Sequence, residues 1–200
     1  MIDTHAHLHL IDRPTTELLD LAANAGVSHV VQVAIDLPSI HKNLNEYALV
    51  PNCSITGGIH PLSVSDDVDL DAVLALLKQD IDQFVAIGET GLDYKYGRDN
   101  KKMQHLFFEA QLSFARTYQK PVIIHSRHSD EDMLKIVNQY PDVKKVFHCY
   151  ATNYDFFEAL AGDLNYVSFT GMITHAKKGK VIRSMREVPM NRLMLETDAP

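Results

Sequence analysis

Eight short runs rich in β-branched residues, each separated from the next by a stretch long enough to hold a helix, restrict this chain more than any other feature. The runs are Met1–Thr4, His29–Ala34, Ser54–Ile59, Phe84–Gly88, Val122–His125, Val146–His148, Tyr166–Phe169 and Leu193–Glu196. Amphipathic patterns lie between them: Glu17 to Ala25, stopped by Gly26; Leu70 to Lys78; and a stripe of Met103, Leu106, Phe107, Ala110 and Phe114 at helical spacing. Asp36 ahead of Pro38 reads as a helix start. Strands that alternate with helices pair in parallel, and eight such units favour an α/β fold of the (β/α)8 TIM-barrel type over an open doubly wound sheet. No glycine-rich dinucleotide fingerprint follows the first run, which weakens the doubly wound alternative.

The 200 residues contain no linker, repeat or low-complexity tract, so one domain over residues 1–200 is expected. A barrel of this type typically runs to about 250 residues, and the sequence stops at Asp198-Ala199-Pro200, straight after the eighth run. It reads as truncated there, with the eighth helix missing. The seam between the first and last strands would then be the least covered part of the barrel.

Composition excludes several classes. The apolar runs are far short of the roughly 20 residues that a membrane helix needs, and no charged-then-apolar leader opens the chain. Two cysteines, Cys53 and Cys149, make no disulfide framework, and free thiols suit a reducing compartment, so a cytoplasmic location is expected. A net charge of −7 argues against binding nucleic acid through a broad basic surface. It leaves open a local site whose positive charge comes from metal ions.

In a (β/α)8 barrel the chemistry sits at the carboxyl ends of the strands. Those ends carry His5 and His7, His60, Glu89, His125, His148, and Glu196 with Asp198. His5 and His7 alternate along a strand, so both imidazoles face one way and can reach a single cation. Isolated histidines have no reason to recur at strand ends, so together they indicate a metal site. Imidazole with carboxylate suits zinc, manganese, iron or cobalt rather than calcium. Even with His60 and Glu196 set aside, four histidines and two carboxylates exceed the three protein ligands that a catalytic zinc usually takes, which favours two ions. Glu89, with two oxygens, can bridge them.

The chain resembles the TatD family of metal-dependent deoxyribonucleases, within the wider amidohydrolase-like barrels. The motifs that carry the resemblance are Asp3-Thr4-His5-Ala6-His7, Gly58-Ile59-His60-Pro61, Gly88-Glu89-Thr90-Gly91-Leu92-Asp93-Tyr94, Pro121-Val122-Ile123-Ile124-His125-Ser126-Arg127, Phe147-His148-Cys149 and Glu196-Thr197-Asp198-Ala199-Pro200. The resemblance implies two divalent metal ions (Mg, Mn or Zn), one held by His5, His7 and Asp198 and the other by His125 and His148, with Glu89 joining them. It also implies exonucleolytic cleavage of DNA from the 3′ end, by water activated between the two ions.

Several residues can be given roles on that reading. Asp198 is the candidate base for the water. Arg127 and His60 are candidates for holding phosphate, Arg127 because its planar fork matches the anion. Tyr94 and Tyr96 could stack on a terminal base of a single strand. Asp3 and Glu196 face inward and could orient ligand imidazoles through their second nitrogens. Lys177, Lys178, Lys180 and Arg183 could guide a nucleic-acid strand towards the site. His9, His29, His41, His105, His128 and His175 receive no function. The rival readings are another two-metal hydrolase on the same barrel, acting on an amide, a phosphotriester or an aminoacyl-tRNA ester, and a non-catalytic metal or nucleic-acid binding module.

Overall fold

The computed structural model describes residues 1–175 and 179–200, so Lys177 and Lys178 of the basic cluster lie outside the described residues. The eight expected strands all form: β1 (Ile2–Ala6), β2 (His29–Gln32), β3 (Cys53–Gly57), β4 (Phe84–Asp93), β5 (Val122–Arg127), β6 (Lys145–Phe147), β7 (Asn165–Phe169) and β8 (Leu193–Leu195). They make one parallel sheet in the order β1 to β8. The sheet curls round until its ends meet. Ala6 pairs in parallel with Ala199, the Asp198 amide donates to the His5 carbonyl at 2.9 Å, and the His7 amide donates to the Ala199 carbonyl at 2.7 Å. On the outer face of this seam Ile2 and Leu195 stay 52% and 44% exposed.

The helices are α1 (Thr15–Asn24), α2 (Leu37–Lys42), α3 (Leu70–Gln79), α4 (Lys101–Thr117), α5 (Asp130–Val137), α6 (Tyr154–Glu158) and α7 (Lys180–Glu187). Their starts follow from local chemistry. Asp36 and Ser39 form a reciprocal capping box on α2, and Asp69 accepts from the Asp71 and Ala72 amides at the start of α3. Most of the apolar core lies between the strands and these helices, while Val33, Ala86 and Ile123 fill the barrel interior.

Two elements depart from the sequence pattern. The fourth strand continues to Asp93, five residues past its expected end at Gly88, because the ladder with β5 shifts register between Ile87 and Thr90 and then resumes. Glycines make this possible. Gly88 and Gly91 have φ of 142° and 144°, and a Cβ at either would run into the β5 main chain at Ile123 or His125. The α4 stripe is also rotated. Phe107 and Phe114 are buried as expected, but Leu106 is 55% exposed and the buried face includes Gln104 and Gln111. Both glutamines are fully used: Gln111 bonds the amide and carbonyl of Ile59 and the Thr90 hydroxyl, and Gln104 bonds the amide and carbonyl of Asp93 and the Gly97 carbonyl. The helix thus clamps the two main-chain segments that carry His60 and Asp93.

Candidate metal centre

The alternation of β1 sends Asp3 and His5 into the barrel, and His5 is fully buried. His7 follows one pleat later and Asp198 arrives across the seam. Four ligand-type atoms meet here. His5 Nε2 lies 3.1 Å from His7 Nε2, 3.4 Å from Glu89 Oε2 and 3.6 Å from Asp198 Oδ1. His7 Nε2 lies 3.5 Å from Glu89 Oε2 and 3.7 Å from Asp198 Oδ1. A tetrahedral cation with bonds of about 2.1 Å places its ligand atoms roughly 3.4 Å apart, so the spacing fits one ion.

A second set gathers on the other oxygen of the same carboxylate. Glu89 Oε1 is 2.7 Å from His148 Nε2 and 2.9 Å from His125 Nδ1, and those two nitrogens are 3.4 Å apart. His60 Nε2 approaches the same oxygen at 3.4 Å. The Leu62 amide donates to His60 Nδ1 at 3.1 Å, which leaves the ring proton on Nε2. His60 therefore offers a donor at this edge, not a lone pair.

Around the ligands a further layer sets ring orientation. His7 Nδ1 bonds the Val33 carbonyl at 3.0 Å, leaving Nε2 free to ligate. His125 Nε2 lies 3.1 Å from the buried Asp93 carboxylate, on the side of the ring away from Glu89. Asp93 lies within the motif at residues 88–94 but has no role assigned to it from the sequence alone. Its even offset from Glu89, which puts the two on one strand face, is the signal that could have found it. Asp3 does something other than orient an imidazole: it accepts from the Thr197 amide and hydroxyl and from the His5 amide, tying β1 to the residue before Asp198. Glu196 accepts from the Cys149 amide and the Ser168 hydroxyl and stands 3.8 Å from His148 Nδ1, beyond hydrogen-bond length.

The charges balance through these contacts. Burial lowers the His5 pKa to about 3, with the cationic neighbour His148 adding to it, so the His5 ring is neutral, as a ligand imidazole must be. Burial works against charge on His148 too, but the Glu89 carboxylate outweighs it and raises the pKa to about 9. Burial would raise Glu89, and His148 and His60 together hold it well below the usual carboxylate range. Burial would likewise raise Asp93, and its bond to His125 together with the Tyr96 and Lys95 amides brings it to about 2. Burial drops His60 to about 4, consistent with a neutral ring. Asp198 moves the other way: burial, with Glu89 beside it, pushes its pKa up against the pull of His148.

The remaining candidates lie around the mouth. Arg127 extends from the end of β5, two residues beyond His125, and is exposed. Tyr94 is built into the rim: its hydroxyl donates to Asp132 at 2.8 Å and lies 2.6 Å from His105 Nε2, and Lys101 covers one ring face at 3.6 Å. Tyr96 is 63% exposed. Arg183 pairs with Glu187 one turn on along α7. Among the described residues no helix is long and apolar enough to cross a membrane.

Known proteins place this arrangement. The family model of TatD-related DNases matches residues 2–200. The chain is 30% identical over 207 residues to YcfH of Escherichia coli strain K12, described as an uncharacterized metal-dependent hydrolase, and covers 77% of it with the whole of its own length. It is 39% identical over 124 residues, 58% of its length, to a part amounting to 16% of the human 3′-5′ RNA nuclease TATDN2. Among solved structures, the TatD homologue YjjV of Escherichia coli K12 superposes with a TM-score of 0.86 at 27% identity, over all of this chain and 79% of that one. With the barrel, the strand-end ligands and a match spanning nearly every residue in agreement, the chain belongs to the TatD family of metal-dependent hydrolases.

Proposed function

We propose that the protein is a two-metal nuclease that removes nucleotides from the 3′ end of single-stranded DNA. The observation that carries this reading is the pair of ligand sets meeting on opposite oxygens of Glu89, with Asp198 at their edge. His5, His7, Glu89 and Asp198 would hold one divalent ion and Glu89, His125 and His148 the other. Bound there, such ions supply Lewis acidity to a phosphoryl oxygen and acidify water.

The chain's own residues divide the rest of the work. Asp198, with its raised pKa and a side chain 32% exposed, takes the proton of the attacking water. His60 donates its Nε2 proton in a hydrogen bond to a phosphoryl oxygen, where negative charge builds up. Arg127 holds the neighbouring phosphodiester through its guanidinium fork. Two free cysteines accord with a cytoplasmic site of action.

The deciding experiment strips the protein with EDTA and restores Mg²⁺, Mn²⁺ or Zn²⁺ in the presence of labelled single-stranded DNA, single-stranded RNA, a peptide amide and a phosphotriester. Metal-dependent loss of 3′ nucleotides from DNA is the expected result. Turnover of only the amide or the phosphotriester overturns the nuclease reading, and loss from RNA alone reassigns the substrate.

A further inference from the structure

We infer that Tyr96, flanked by Arg127 and Lys95, is a stacking subsite for the terminal base of a nucleic-acid strand whose phosphodiester bonds Arg127. The inference rests on the nuclease reading above and specifies where that substrate lies. Its starting point is the contrast between two tyrosines two residues apart. Tyr94 has its hydroxyl engaged twice and a cation covering a ring face at 3.6 Å. Tyr96 is 63% exposed, and the cations over its ring lie further off, with Lys95 Nζ at 4.9 Å and the Arg127 guanidinium carbon at 5.1 Å from the centroid.

Neither cation has an acidic partner among the described residues, in a chain whose net charge is −7. An exposed aromatic ring with two cations that lack acidic partners matches what a single strand offers to bind: a base face and a phosphate. The subsite is also fixed to the metal centre by one carboxylate. Asp93 Oδ1 accepts from the Lys95 and Tyr96 amides at 2.8 Å each, while Asp93 Oδ2 faces His125 Nε2 at 3.1 Å. On the adjacent strand Asp93 pairs in register with Arg127, which shares a face with His125 about 6.6 Å further along. A strand held on Arg127 and Tyr96 is thereby aligned with the ligands at the mouth.

The experiment compares wild type, Tyr96→Leu, Tyr96→Phe and Arg127→Gln, each loaded with Mn²⁺, on two ten-residue oligothymidylates that differ only in carrying a normal or an abasic 3′-terminal nucleotide. Wild type should favour the normal terminus by about tenfold in kcat/KM, within the range of base–aromatic stacking. Tyr96→Leu should abolish that preference, with the effect falling on KM more than on kcat. Tyr96→Phe should keep the preference, and Arg127→Gln should weaken both substrates alike. Anisotropy of a fluorescein-labelled oligothymidylate, measured in EDTA, tests the subsite without turnover, and Tyr96→Leu should bind about tenfold more weakly than wild type. A preference that survives Tyr96→Leu, equal binding by the two proteins, or no binding by wild type overturns the inference. A wild type that binds through Tyr96 but degrades no strand overturns the nuclease reading instead.

Discussion

The Asp93 carboxylate lies 3.1 Å from His125 Nε2, on the opposite side of the imidazole from Glu89. It holds the ring with Nδ1 aimed at the second ligand set and makes that nitrogen more basic.

Replacing Asp93 with asparagine keeps the shape of this contact and removes its charge. The fold should persist, and affinity for a divalent ion at the second set should fall by about 10–100-fold. Metal competition against a chromophoric chelator measures this, with circular dichroism as the control for folding. Unchanged affinity would show that His125 is oriented without Asp93.

His60 gives the opposite expectation. With its proton on Nε2, its removal should cost turnover and not metal. His60→Ala should retain the metal content of wild type and lose about 10²–10³-fold in kcat, the scale of one oxyanion donor. Elemental analysis of the dialysed variant separates the two cases: a lowered metal-to-protein ratio would make His60 a ligand.

Away from the site, Lys145 is wholly buried at the start of β6, donating to the Tyr140 and Val143 carbonyls at 2.7 and 2.9 Å. Burial lowers its pKa from 10.5 to about 8. Between those values the unfolded chain keeps a proton that the folded chain has released, so stability should rise with pH across that window and be level below it. Urea midpoints from pH 7 to 11, taken as the difference between wild type and Lys145→Met, isolate this contribution. A difference that stays flat through the window would refute the shift.

Strand alternation and the rule that barrel chemistry gathers at carboxyl ends made the six ligand-type residues legible in the sequence, since each needs only its position on a strand. The clamp made by α4 was not legible, because Gln104 and Gln111 look like solvent-facing positions until the fold brings the Ile59 and Asp93 main chain and the Thr90 hydroxyl against them. Parity suggested that Asp3 faces inward, and it does, but the identity of its partner, Thr197, depends on closure of the sheet. The protonation of His60 is set by the Leu62 amide, a loop contact that no periodicity encodes.

Closure has a consequence for the order in which the molecule matures. Asp3 and Thr197 are 194 residues apart in sequence, and their bond sits directly below the point where His5 and His7 meet Asp198. Contacts of such separation carry a large loop-closure entropy, so closing the seam is expected to come late in folding. The complete first ligand set therefore exists only in a chain whose barrel has already shut. An ion bound at this set would hold the first and last strands together and favour the closed barrel by mass action. Depletion of such an ion should therefore loosen the barrel first at its seam.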